Sequence, residues 1–184
     1  GTDGASHNGM WDMALLTHVP GLRLAAPRDE ATLRESLRLA VSIDDAPAVV
    51  RYPKGALPEP LTAVRRLSGG PDESGCGEEP VQKEALSPCA FDVVDVLLES
   101  LRPTGTARIL LVGVGAMAPE AYEAGRILQK EDRAVTVVHP HWVIPAPAPL
   151  VAAAANADVV VVVEDGLVDG GIGSQLRDAV EGYR

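Results

Sequence analysis

Three short apolar runs in the second half of the chain, residues 109–112, 134–138 and 158–163, alternate with segments of helical periodicity. A strand that is apolar at every position is buried on both faces, and such strands separated by helices form a parallel sheet covered on both sides. The spacing predicts a helix opened by Pro119-Glu120, with Ala121, Ala124 and Ile127-Leu128 facing inward. A second helix follows over residues 150–156, and Ser174 caps a last one carrying Leu176, Val180 and Tyr183. With 184 residues, 46% of them hydrophobic, the chain has enough apolar surface for a sizeable core. Aromatics at 3% and an interior of Ala, Val, Leu and Gly suit an α/β class better than an all-β sandwich.

The first block, residues 1–55, holds two further strand candidates, 21–26 and 47–52, each followed by a proline. Between them a helix is expected, capped by Asp29, with Leu33, Leu37 and Ala40-Val41 on one face and Glu30, Arg34, Glu35 and Arg38 on the other. Strand, helix, strand implies a right-handed crossover, and open α/β sheets bind ligands outside the carboxyl ends of their strands. Residues 56–106, rich in Pro, Gly and mixed charge, read as a linker with an insertion. Within it, residues 91–98 fit a strand or a helix, and periodicity leaves that choice open. The second apolar block is 107–184.

Charge and composition exclude several classes. Sixteen Lys and Arg stand against 26 Asp and Glu, a net charge of -10 without any basic stripe, so nucleic acid is not an expected partner. The most apolar stretch is broken by Pro145, Pro147, Pro149, Asn156 and Asp158, so no uninterrupted membrane span is expected. Cys76 and Cys89 are too few for a disulfide framework or a zinc site. With Gly1 first and no charged-then-apolar leader, the expectation is a piece of a longer cytoplasmic protein.

The densest polar cluster is Gly1-Thr2-Asp3-Gly4-Ala5-Ser6-His7-Asn8-Gly9. Glycines let backbone approach a ligand, and His7 is a proton donor or acceptor near neutrality, four residues from Asp3; a solvated polar turn is the plainer alternative. Arg51-Tyr52-Pro53-Lys54-Gly55 puts two cations straight after a strand. Arginine there suits bidentate capture of phosphate or carboxylate, with a surface ion pair as the alternative. Gly113-Val114-Gly115 and Gly170-Gly171-Ile172-Gly173-Ser174 look like anion-binding turns but lack a full dinucleotide fingerprint, and tight strand-to-helix packing explains them equally well. Glu164-Asp165 lie at the same edge and are expected to cap the glycine loop's amides. His139 and His141 lack a third ligand for a metal and are expected to pack at a domain or subunit contact.

The run Asp3-Gly4-Ala5-Ser6-His7-Asn8-Gly9-Met10-Trp11-Asp12, with Val19-Pro20-Gly21-Leu22-Arg23, Ala26-Pro27-Arg28-Asp29 and Val50-Arg51-Tyr52-Pro53-Lys54-Gly55, resembles the 1-deoxy-D-xylulose-5-phosphate synthases of actinobacteria. Gly113-Val114-Gly115-Ala116-Met117-Ala118-Pro119, Trp142-Val143-Ile144-Pro145 and Val163-Glu164-Asp165 extend the resemblance over nearly the whole chain apart from residues 68–90. It implies the end of a pyrimidine-binding transketolase domain (1–55) and an incomplete, parallel-sheet transketolase C-terminal domain (107–184). It further implies a homodimer that condenses pyruvate with glyceraldehyde 3-phosphate, with loss of carbon dioxide, for isoprenoid, thiamine and pyridoxal synthesis. Thiamine diphosphate and magnesium would be bound mainly by residues outside this chain, and the fragment alone would be inactive. By the same resemblance Asp3 and His7 are catalytic and substrate-handling residues, and Arg51 binds the aldehyde's phosphate. His139-Pro140-His141-Trp142 departs from the family's usual Asp-Pro-Arg-Trp, and Gly166 stands where Asn is common.

Two other functions share this two-domain pattern: the β subunit of a thiamine-dependent 2-oxoacid dehydrogenase or another transketolase-like half, and a catalytically inert dimerisation module. An upstream Gly-Asp-Gly followed by an Asn about a helix later separates the enzymes from the inert module.

Overall fold

The computed structural model describes residue 9 and residues 11–56, 58–67, 88–100 and 106–183. A short helix α1 (Asp12–Leu16) leads into β1 (Arg23–Ala25), α2 (Glu30–Ala40) and β2 (Ala48–Val50). The two strands pair in parallel, with Leu24 opposite Val49. Helix α2 starts where expected: Asp29 accepts the Thr32 amide at 2.9 Å, and the Thr32 hydroxyl accepts the Asp29 amide at 3.1 Å. A reciprocal cap of this kind is worth about 1 kcal/mol. The buried face differs from the expected one. Thr32, Ser36 and Leu39 face inward, whereas Leu37 is 45% exposed and Val41, just past the helix, is 84% exposed. Small polar residues occupy the inner stripe, so a count of apolar positions picks the wrong side of the helix.

The stretch read as a linker supplies two strands, β3 (Arg65–Leu67) and β4 (Val94–Ser100). The later block adds β5 (Arg108–Gly113), α3 (Ala118–Lys130), β6 (Ala134–Pro140), β7 (Trp142–Ile144), α4 (Ala148–Ala155), β8 (Val159–Val163) and α5 (Ile172–Tyr183). Five of these strands form one sheet in the order β3-β4-β6-β5-β8. As expected, β5 runs parallel to both β6 and β8. The sheet as a whole is mixed, because β4 is antiparallel to β6 and β3 is antiparallel to β4. Cover on both faces fails at the edge strand β8, where Val159, Val160 and Val161 are 46%, 38% and 44% exposed.

In α3, Ala118, Ala121 and Gly125 are buried, while Ala124 and Ile127 face solvent, against expectation. Gly125 explains the shift: a Cβ there would run into Cγ2 of Val137, so the helix lies closer to β6 than a side chain permits. Helix α5 begins two residues before Ser174, whose hydroxyl donates to the Gly171 carbonyl at 2.9 Å from inside the first turn.

Strand β7 joins the two blocks. It follows β6 after a single residue, His141, yet pairs antiparallel with β1 to give a second sheet in the order β2-β1-β7. Trp142 is buried there, edge-on to Phe91 at 5.1 Å, and the Arg23 guanidinium stacks on Phe91 at 4.1 Å. The main core runs from Met13, Leu22 and Leu24 through Val94 and Val112 to Ile172 and Leu176, spanning both blocks. Among the described residues no helix is long and apolar enough to cross a membrane.

Candidate functional site

Residue 51 extends the ladder beyond β2, its amide donating to the Ala25 carbonyl at 2.9 Å. Its side chain reaches two other segments. Arg51 Nε donates to Asp12 Oδ2 at 2.7 Å, and Nη2 donates to the Asp165 backbone carbonyl at 2.8 Å, with Asp165 Oδ2 at 3.8 Å. Asp12 itself donates its amide to the Gly9 carbonyl at 3.1 Å and accepts the Met13 amide at 2.9 Å. Arg51 thus ties the end of the glycine-rich opening run to the loop after β8. The ion pair with Asp12 lies within the first block and is partly buried, while the hydrogen bond to the Asp165 carbonyl, on an exposed part of the guanidinium, reaches the second block. Asp3 and His7 lie outside the described residues.

The loop after β8 is held by Glu164, as expected: its carboxylate accepts the amides of Ile172 at 2.8 Å and Gly173 at 2.9 Å. A carboxylate on the unsatisfied amides at the start of α5 is the favourable placement. Gly171 admits that approach, because a Cβ there would strike the Leu167 carbonyl and lie 2.8 Å from Glu164 Oε1. The other glycine turn also serves packing: a Cβ on Gly113 would stand 2.6 Å from the Ala118 Cα. Both loops are therefore strand-to-helix junctions.

A cavity of about 310 Å³ opens outside the carboxyl ends of β1 and β2. Arg28, Asp29, Leu33, Tyr52, Lys54 and Ala116 contribute to its wall, and Arg51 does not. Its position is the one at which open α/β sheets take ligands.

Behind that wall lies a charged cluster that pattern reading missed. Arg28, 6% exposed, donates from Nη1 to Asp95 Oδ2 at 2.7 Å and from Nη2 to the Leu61 carbonyl at 2.9 Å, while Nε stands 3.2 Å from Asp29 Oδ2. Asp95 also accepts from Arg66 Nε at 2.9 Å and meets His141 Nε2 at 2.9 Å. Burial alone would push the Asp95 carboxyl up, but His141 and then Arg28 outweigh it and hold the group well below the usual carboxylate range. Asp29 is likewise lowered, against its own burial, by Thr32 and Arg28. His141 reaches the first block, its Nδ1 standing 3.7 Å from Glu35 Oε2, whereas His139 bonds within its own block. His139 Nδ1 donates to the Gly113 carbonyl at 3.0 Å. Complete burial, then the charges of Arg28 and His141, push its imidazole down to about 3, so it is neutral.

A pH dependence of stability follows. The unfolded imidazole titrates near 6.5 and the folded one near 3, so the contribution of His139 is complete above about pH 6.5 and is lost as pH falls. Within that window the loss is about 1.4 kcal/mol per pH unit. Urea unfolding of the chain and of His139→Gln between pH 6.5 and 4.5 should show a stability difference that shrinks or reverses at that rate. A difference independent of pH would contradict a neutral buried imidazole.

Among the described residues, no group of three or more His, Cys, Asp or Glu is placed to hold a metal ion.

Residues 1–60 match the family described as transketolase, pyrimidine binding domain, and residues 99–183 match transketolase, C-terminal domain. The chain belongs to the transketolase family. Its similarity to curated proteins runs along almost its full length. It is 44% identical, over 98% of the chain, to the 1-deoxy-D-xylulose-5-phosphate synthase of Corynebacterium glutamicum strain R, and 47% identical, over 96% of the chain, to that of Kocuria rhizophila. It spans 25% and 24% of those relatives, about a quarter of their length. Among solved structures, a split-gene transketolase described as an inactive beta4 tetramer superposes with a TM-score of 0.71 at 24% identity. That match covers 97% of this chain and 50% of the other, and it shows the fold. In transketolase terms, the Arg51 to Asp165 contact runs from the pyrimidine-binding part to the C-terminal domain.

Proposed function

We propose that this chain is the junction between the pyrimidine-binding domain (1–55) and the C-terminal domain (107–184) of a 1-deoxy-D-xylulose-5-phosphate synthase. In this reading the longer enzyme is a cytoplasmic homodimer that joins pyruvate to glyceraldehyde 3-phosphate with loss of carbon dioxide, feeding isoprenoid, thiamine and pyridoxal synthesis. The observation that carries the reading is the identity of 41% to 47% with relatives of that name, which extends over nearly all of the chain and not only over its glycine turns. Thiamine diphosphate and magnesium fall to residues outside this chain.

The residues of this chain then have separate tasks. As the new carbon–carbon bond forms, the aldehyde oxygen becomes a hydroxyl and needs a proton, and His7 supplies it or a hydrogen bond, with Asp3 beside it in the same run. The aldehyde's phosphate is dianionic and calls for a guanidinium; Arg51, at the carboxyl end of β2, provides one.

Supplied with pyruvate and glyceraldehyde 3-phosphate, the longer enzyme should release carbon dioxide and 1-deoxy-D-xylulose 5-phosphate in equal amounts. Transfer of a two-carbon unit from a ketose phosphate without carbon dioxide release would assign it to the transketolases instead. No turnover of either kind would favour the inert module.

A further inference from the structure

We draw no further inference here: the strongest candidate, the surface patch of Val159, Val160 and Val161 on the edge strand β8, is an unpartnered apolar face, and nothing in the structure shows what covers it.

Discussion

Replacing His7 by alanine in the longer enzyme should lower kcat by roughly 10²- to 10⁴-fold, the range of acid assistance to a bond-forming step. Cofactor affinity should stay nearly intact, because the diphosphate is assigned to residues outside this chain. His7→Asn separates the two forms of assistance: the amide keeps a hydrogen-bond donor and has no titrating proton. Near-parental turnover in the asparagine variant would make His7 a hydrogen-bond donor only. Near-parental turnover in the alanine variant would leave it a solvated turn residue, the plainer of the two readings its sequence context permits. Stopped-flow or steady-state rates with saturating pyruvate and aldehyde decide between them.

Arg51→Ala should raise the KM for glyceraldehyde 3-phosphate about ten- to a hundred-fold, since a charge-assisted contact to phosphate contributes roughly 1.5 to 3 kcal/mol. Pyruvate carries no phosphate, so its KM should move by less than about threefold. The bridge that Arg51 makes between Asp12 and Asp165 gives the opposite possibility a definite form. If the bridge only holds the two blocks together, both KM values and kcat change together. The comparison of the two substrates, not the size of either effect, therefore carries the conclusion.

How much of this was legible in the residues depends on where polar groups are buried. Strands β5, β6 and β8 were readable because each is apolar at nearly every position, and their parallel pairing followed. Strand β4 was not, because Asp95 sits inside an otherwise apolar run, fully buried and paired with Arg28, Arg66 and His141. A buried charge disguises a strand unless its partners are known, and these partners come from distant segments. The same reason hid the inner face of α2, built on Thr32 and Ser36, and the inner face of α3, built on Gly125. At the site, Arg51 stood out by its place after a strand and Glu164 by its place before a glycine loop. Asp12 was visible only as the last residue of the opening run, and its contact with Arg51, 39 positions away, was not legible. The pairing of β7 with β1, which brings the two blocks together, was invisible for the same reason: it joins segments more than 100 residues apart.

The central claim is that this chain is a working quarter of a synthase. Its most direct test is a chimera in which it replaces the matching segment of the Corynebacterium glutamicum enzyme, to which it is 44% identical. The measurement is the initial rate of 1-deoxy-D-xylulose 5-phosphate formation from pyruvate and glyceraldehyde 3-phosphate. A rate within about tenfold of the parent, abolished by His7→Ala, is the predicted result, a tenfold loss corresponding to about 1.4 kcal/mol of misfit at the new junctions. A chimera that folds as a dimer and binds thiamine diphosphate, yet forms no product, would contradict the claim.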